Sequence, residues 1–155
     1  MNDHDEAFMR EAIKEAKKAF EVEEVPVGSV LVLGGKIIAR AHNQVEMLKD
    51  ATAHAEMLAL TMGASALNNW RLLDTTLYVT IEPCMMCAGA MYLSRIMRLV
   101  WGARDPRQGA NGSFVDLFEK SHPIHNIEVT PDVLSIECGA LMQEFFRKRR
   151  EKNGR

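Results

Sequence analysis

The sequence predicts an α/β fold: a five-stranded mixed sheet with helices on both faces. Three features carry that expectation. Amphipathic or apolar helical stretches alternate with short strand-like runs, which gives the order α-β-β-α-β-α-β-α-β-α. Gly34-Gly35 separates two runs rich in β-branched residues, the mark of a tight hairpin. The strand–helix–strand units that follow call for right-handed crossovers between strands of one sheet.

Each element has its own signal. Over residues 6–20, Phe8, Ala12, Ala16, Ala19 and Phe20 form one apolar stripe, so an amphipathic helix is expected. Pro26 opens a strand over 27–33, and 36–41 returns as its hairpin partner. Residues 50–52 offer helix-start side chains ahead of a helix over 54–67, in which Met57, Leu58 and Leu60 to Met62 can be buried. A third strand over 76–81 stops at Pro83, and 84–93 reads as a helix apolar on nearly every side, hence buried in the core or against another subunit. A fourth strand spans 98–103 and a glycine-containing charged loop spans 104–112. A short helical piece near 114–118, a brief strand at 127–129 and a last helix over 134–150 complete the chain.

Bulk properties narrow the class. At 155 residues, 47% hydrophobic and 26% charged, the chain suits one domain spanning 1–155 with a substantial core. No apolar run reaches the roughly 20 residues of a membrane span, and the charged first turns do not resemble a secretory signal. Three cysteines, two of them in a CxxC, make no disulfide framework, so a reducing cytoplasm is the expected compartment. The net charge is only −2 but unevenly spread: residues 147–155 hold six bases (Arg147, Lys148, Arg149, Arg150, Lys152 and Arg155) against the single acid Glu151. Such an end can contact phosphates, or it can be a solvated helix terminus.

The chemistry lies in two short stretches, His54-Ala55-Glu56 and, thirty positions after that histidine, Pro83-Cys84-Met85-Met86-Cys87. Together they offer an imidazole, two thiolates and a carboxylate. His54, Cys84 and Cys87 make three ligands for zinc, and an ion held by three side chains keeps a coordination position for water. Glu56 is then the acid/base group and not a ligand. On a regular helix residues i and i+2 point about 200° apart, so convergence of His54 and Glu56 places His54 as the first or second helical residue. Alternatives exist for each half: a redox pair, or a closed structural site with a fourth ligand from Cys138, His4, His42, His122 or His125.

The H-x-E and P-C-x-x-C motifs resemble those of zinc nucleobase deaminases. The similarity extends over Val25-Pro-Val-Gly28, Thr52-Ala-His-Ala-Glu56, Arg71-Leu-Leu-Asp74, Leu77-Tyr-Val-Thr80, Glu82-Pro-Cys-Met-Met-Cys-Ala-Gly-Ala-Met91, Ser94-Arg-Ile96, Gly102-Ala-Arg-Asp105 and Phe145-Phe-Arg-Lys-Arg-Arg150. On these residues the chain resembles the bacterial tRNA-specific adenosine deaminases of the cytidine/deoxycytidylate deaminase superfamily, departing from their pattern around 47–49 and 121–125. The resemblance implies a three-layer α/β/α cytidine-deaminase-like fold, one zinc ion per subunit and a homodimer with active sites near the subunit contact. It implies catalysis by Glu56 and a grip on the flipped base by Asn43, which could otherwise be an ordinary loop residue. Asp105 and Arg107 would approach neighbouring nucleotides, or be plain surface charges. Arg147, Arg149 and Arg150 would hold phosphates of a tRNA anticodon stem-loop.

The implied reaction converts adenosine to inosine at the wobble position, 34. Glu56 takes a proton from the attacking water and returns protons to the ring nitrogen and the departing amine. Two other functions fit the motifs: deamination of a free nucleobase or nucleoside of guanine or cytosine type, and a non-catalytic zinc-binding partner subunit. The basic terminus favours RNA over the first. Retention of Glu56 speaks against the second, because a purely structural site has no use for a carboxylate that binds nothing.

Overall fold

The computed structural model describes residues 3–154; Arg155, counted in the basic terminus, lies outside the described residues. Helix α1 (Asp3–Glu21) leads into the hairpin β1 (Gly28–Leu33) and β2 (Lys36–His42), followed by α2 (Val45–Leu48) and α3 (Ala55–Leu67). Strand β3 (Thr75–Ile81), α4 (Met85–Ser94), β4 (Arg98–Ala103), β5 (Glu128–Thr130) and α5 (Ser135–Lys152) complete the order. The strands lie in the order β2-β1-β3-β4-β5, antiparallel across β2-β1-β3 and parallel across β3-β4-β5. That is the mixed five-stranded sheet the sequence predicts. At the hairpin Gly34 and Gly35 have φ of 57° and 77°, the positive values a two-residue turn of this type requires.

Strand alternation divides the core into two layers. Leu31, Leu77, Val79, Leu99 and Trp101 point to one face, where Ala55, Ala59 and Leu60 of α3 and Cys87 and Met91 of α4 cover them. Val30, Val32, Tyr78 and Val100 point to the other, against Met9, Ala12 and Ile13 of α1 and Cys138 of α5. Helices on both faces of one sheet make the three-layer α/β/α arrangement. Cys138, buried in the second layer, is packing material and not part of a ligand set.

Three expectations need correction, and one element was not foreseen. No helix forms over 114–118: the chain there runs in turns around an isolated bridge between Asn111 and Asp116. Asp116 accepts the Phe118 N–H at 3.1 Å, and Gly112 sits at φ 113°, so the local donors and backbone angles are spent on turns. The one-turn helix α2 has no periodic signal to announce it. It is capped from a distance by Glu24, which accepts the N–H groups of Glu46 at 3.0 Å and Met47 at 2.7 Å. Asp50, expected to start a helix, instead accepts the N–H and hydroxyl of Thr52, and the helix begins later, at Ala55. Met62 of that helix, expected among its buried residues, is exposed.

An ion pair ties α1 to the sheet. Asp5, 1% exposed, accepts two bonds from the Arg98 guanidinium, at 2.8 and 2.6 Å, and one from the Tyr78 hydroxyl at 2.9 Å. Removing one partner of a buried pair typically costs more than the pair's net worth, because the other is left desolvated. Arg98→Leu should therefore lower unfolding free energy by about 3 kcal/mol. Urea denaturation checks this, and a loss under about 1 kcal/mol would show that apolar packing alone holds α1 in place.

Candidate metal centre and active site

Two helix beginnings meet beyond the end of β3. His54 is the N-cap of α3, with φ −73° and ψ 151°, and Cys84 is the N-cap of α4, with φ −77° and ψ 174°. Both are extended, so each residue sits one step outside its helix. His54 thus lies one position earlier than the first helical residue expected from the i, i+2 argument, and that shift solves the geometric difficulty. Its ring swings away from the helical direction while Glu56, two residues on, occupies the first turn. The Ser29 hydroxyl donates to the Ala55 carbonyl at 2.8 Å, fastening the start of α3 to β1.

The ligand atoms are already gathered. His54 Nδ1 stands 3.6 Å from Cys84 Sγ and 3.5 Å from Cys87 Sγ. A tetrahedral ion with bonds of about 2.3 Å to sulfur and 2.05 Å to nitrogen sets such pairs about 3.6 Å apart. The residues therefore fit zinc. Among the described residues no other histidine, cysteine or carboxylate joins the group, so none of the candidate fourth ligands completes a closed site.

Electrostatics agree with a cation at this point. The Cys84 thiol is held down to about 4, first by the hydrogen bond from the Cys87 thiol and also by His54 and the Cys87 backbone N–H. The Cys87 thiol is pushed up by its neighbouring thiolate and by burial. One thiolate thus stands ready, and a divalent ion would displace the proton that the other keeps. His54 is shifted upward, chiefly by its hydrogen bond to Cys84. Glu56 is 2% exposed, and burial pushes its carboxyl up to about 7 against the opposing backbone hydrogen bond and His54. A carboxyl near neutrality beside a water-binding position has the properties of a general acid/base.

The cradle forms the floor of a cavity of about 410 Å³. His54, Glu56 and Cys84 line it, as do Asn43, Asp105, Arg107 and Arg149 among the other expected site residues. Asn43 is buried, with its backbone N–H donating to the Val27 carbonyl at 3.0 Å. Asp105 Oδ1 accepts the N–H groups of Arg107 and Gln108, at 3.1 and 3.3 Å, so part of that carboxylate shapes its own loop. Arg150 lines an adjoining cavity of about 700 Å³ with Arg104, Arg107 and Arg149. Arg147 lines neither of these two cavities; it is paired with Glu144 at 2.7 Å and Glu151 at 2.6 Å.

Several wall residues escaped the sequence reading. Met142 and Phe146 of α5 line the cavity beside Arg149, and the 142, 146, 149 spacing, one stripe of a helix, is the signal that could have found them. Glu24 and Glu82 also escaped, since nothing in a sequence distinguishes a buried glutamate from a solvated one.

If the three-ligand assignment is right, Cys84→Ala should release most of the metal that the purified protein carries, while Cys138→Ser keeps it. Metal analysis per chain checks both, and full zinc in Cys84→Ala would refute the ligand set.

The model of the cytidine and deoxycytidylate deaminase zinc-binding region matches residues 2–103. A tRNA-specific adenosine deaminase of Bacillus subtilis (strain 168) is 52% identical over 148 residues, covering 96% of this chain and 92% of that protein. A solved structure from work on A-to-I editing by tRNA:A34 deaminases superposes with a TM-score of 0.83 at 44% identity, over 87% of this chain and 98% of that one. A guanine deaminase from Nitrosomonas europaea has the same fold, with a TM-score of 0.75 at 25% identity, over 90% of this chain and 83% of that one. The chain belongs to the cytidine and deoxycytidylate deaminase family, on the branch of the tRNA-specific adenosine deaminases.

Proposed function

We propose that this protein is a zinc-dependent hydrolase that converts adenosine to inosine at the wobble position, 34, of tRNA anticodons. The observation that carries the reading is Glu56: a buried carboxyl, outside the ligand group, set beside a three-ligand soft-metal cradle on a cavity floor. The names of the relatives supply the substrate class. Zinc, when bound, supplies Lewis-acid activation of water. His54, Cys84 and Cys87 would hold it.

The chain's own residues do the rest. Glu56 takes a proton from the water as its oxygen attacks C6 of adenine. It then delivers protons to the ring nitrogen and to the departing amine, so adenosine and water yield inosine and ammonia. Asn43, with a donor and an acceptor on one amide, suits a purine edge at the cavity wall. A wobble base in an anticodon loop is already nearly free of a duplex, so bringing it to the floor costs little unstacking. Asp105 and Arg107 on one rim and Arg149 and Arg150 on α5 are the groups for flanking nucleotides and phosphates. Arg147, engaged by two glutamates, contributes least.

The reading includes a homodimer working in the cytoplasm. Met85 and Leu93 on α4, with Phe114 and Leu117 nearby in sequence to the loop wall, remain exposed on the isolated chain. A second copy is the occupant that would cover this apolar face and bring two active sites close to the contact. Among the described residues no helix is long and apolar enough to cross a membrane.

Incubation of the purified protein with a synthetic anticodon stem-loop, followed by nucleoside analysis, should reveal inosine at 34. Preferential turnover of free guanine, cytosine or adenosine would replace this reading with the small-molecule one. Glu56→Gln should retain zinc and lose at least about a hundredfold in turnover; metal loss in that variant would assign Glu56 a different role. Arg149→Ala should reduce the slope of log affinity against log salt by about 0.7–1, as one phosphate contact does, and Arg147→Ala should reduce it less. Equal effects would show that the α5 arginines act only as a diffuse charge.

A further inference from the structure

We infer that Glu82 is a positioning residue, whose buried carboxylate latches both ends of the 105–113 loop against the metal cradle and so fixes the wall that grips substrate. Glu82 immediately follows β3 and directly precedes Pro83 and the ligand Cys84, and it is 1% exposed. Its Oε1 accepts the Asp105 N–H at 3.1 Å and the Ser113 hydroxyl. Its Oε2 accepts the N–H groups of Asn111 at 2.8 Å and Ser113 at 3.2 Å. The donors come from the two ends of the loop, eight residues apart, and one carboxylate closes them together.

That arrangement is not what packing alone would select. Burying a carboxylate is costly unless every lone pair is filled, and an apolar side chain of similar volume would fill the same space without that cost. Among the described residues no cation is paired with Glu82; backbone N–H groups and one hydroxyl satisfy it. The loop approaches so closely that a Cβ at Gly109 would stand 2.2 Å from the Glu82 carboxyl carbon. The Ala110 N–H adds a bond to the Pro83 carbonyl at 2.8 Å, and Trp101 Nε1 donates to Asn111 Oδ1 at 2.9 Å.

The latched loop borders the cradle on two sides. Asp105, Arg107 and Gln108 line the cavity above Glu56, while Arg107, Gln108 and Phe114 line a second opening beside His54 and Cys84. The metal ligands and Glu56 belong to α3 and α4 or their caps, so the reacting centre keeps its form when the loop loosens. What is lost is grip on the substrate, a binding contribution common to ground state and transition state. The identity of the gripped group, nucleotides of an anticodon loop, rests on the function proposed above.

Glu82→Gln tests the latch with an isosteric side chain that turns one acceptor oxygen into a donor facing donors. On an anticodon stem-loop, KM should rise about tenfold with kcat within about threefold of wild type and zinc per chain unchanged. Amide hydrogen exchange over 105–113 should accelerate about tenfold, while the first turns of α3 and α4 keep their protection. Ser113→Ala, which removes only one hydroxyl donor, should give an intermediate KM in a fold that is not in question. Wild-type KM and wild-type exchange in Glu82→Gln would overturn the inference. So would loss of zinc with a lower kcat at unchanged KM, which would assign Glu82 to the ligand cysteines. If the wild-type protein leaves the stem-loop untouched, the functional reading fails, and the exchange comparison alone decides the latch.

Discussion

Everything at this site depends on two residues being held just outside their helices. Cys87 lies inside α4 with its Sγ 3.5 Å from His54 Nδ1, while His54 and Cys84 come to the same point from the N-cap positions of α3 and α4. Extended angles at His54 and Cys84 turn the two side chains toward each other while α3 and α4 run back along the sheet. Those helices are anchored by the apolar layer they share with β1, β3 and β4, and the start of α3 is fastened to β1 by Ser29. The unpaired N–H groups of each first turn then favour negative charge where the thiolates and Glu56 sit. Fold and chemistry are thus joined at two backbone positions.

Around that point three glutamates are buried, and they differ by what fills their oxygens. Glu24 accepts two N–H groups from α2 and holds the rim beside Asn43. Glu82 accepts three N–H groups and a hydroxyl from the opposite rim. Glu56 has burial without such a set of tertiary donors, and its carboxyl is accordingly pushed up to about 7. The same side chain therefore serves as clamp in two places, and in the third it has the protonation behaviour that the proposed acid/base role requires. Solvation by fixed donors, not residue type, separates the roles.

Much of this was legible in the sequence because it is local. The hairpin at Gly34-Gly35, the strands at 76–81 and 98–103, and the spacing of His54, Cys84 and Cys87 each follow from short-range rules, and the sheet and cradle agree with them. Illegible features are the ones fixed by contacts distant in the chain. Helix α2 exists because Glu24 caps it from over twenty residues away, and the chain leading into 114–118 turns instead of coiling because the Asn111 and Ser113 N–H groups face Glu82. The α5 arginines lie between these cases. Helical geometry alone separates Arg149, on the stripe of Met142 and Phe146, from Arg147, which faces Glu144 and Glu151. A basic run read as one unit hides that division.

Substrate choice must then reside outside the metal cradle. A guanine deaminase shares this fold at 25% identity, so the sheet, the helix beginnings and their chemistry are compatible with more than one base. The match to the zinc-binding region ends at residue 103, where the cavity still lacks most of two walls. Those walls are the 105–113 loop and the Met142, Phe146 and Arg149 face of α5, and each brings a guanidinium to the cavity. On the function proposed above, these guanidinium groups would meet the sugar–phosphate chain that continues beyond the target base. Selectivity for a polymer would, on that same function, reside in this rim, whose backbone N–H groups are held by Glu24 and Glu82.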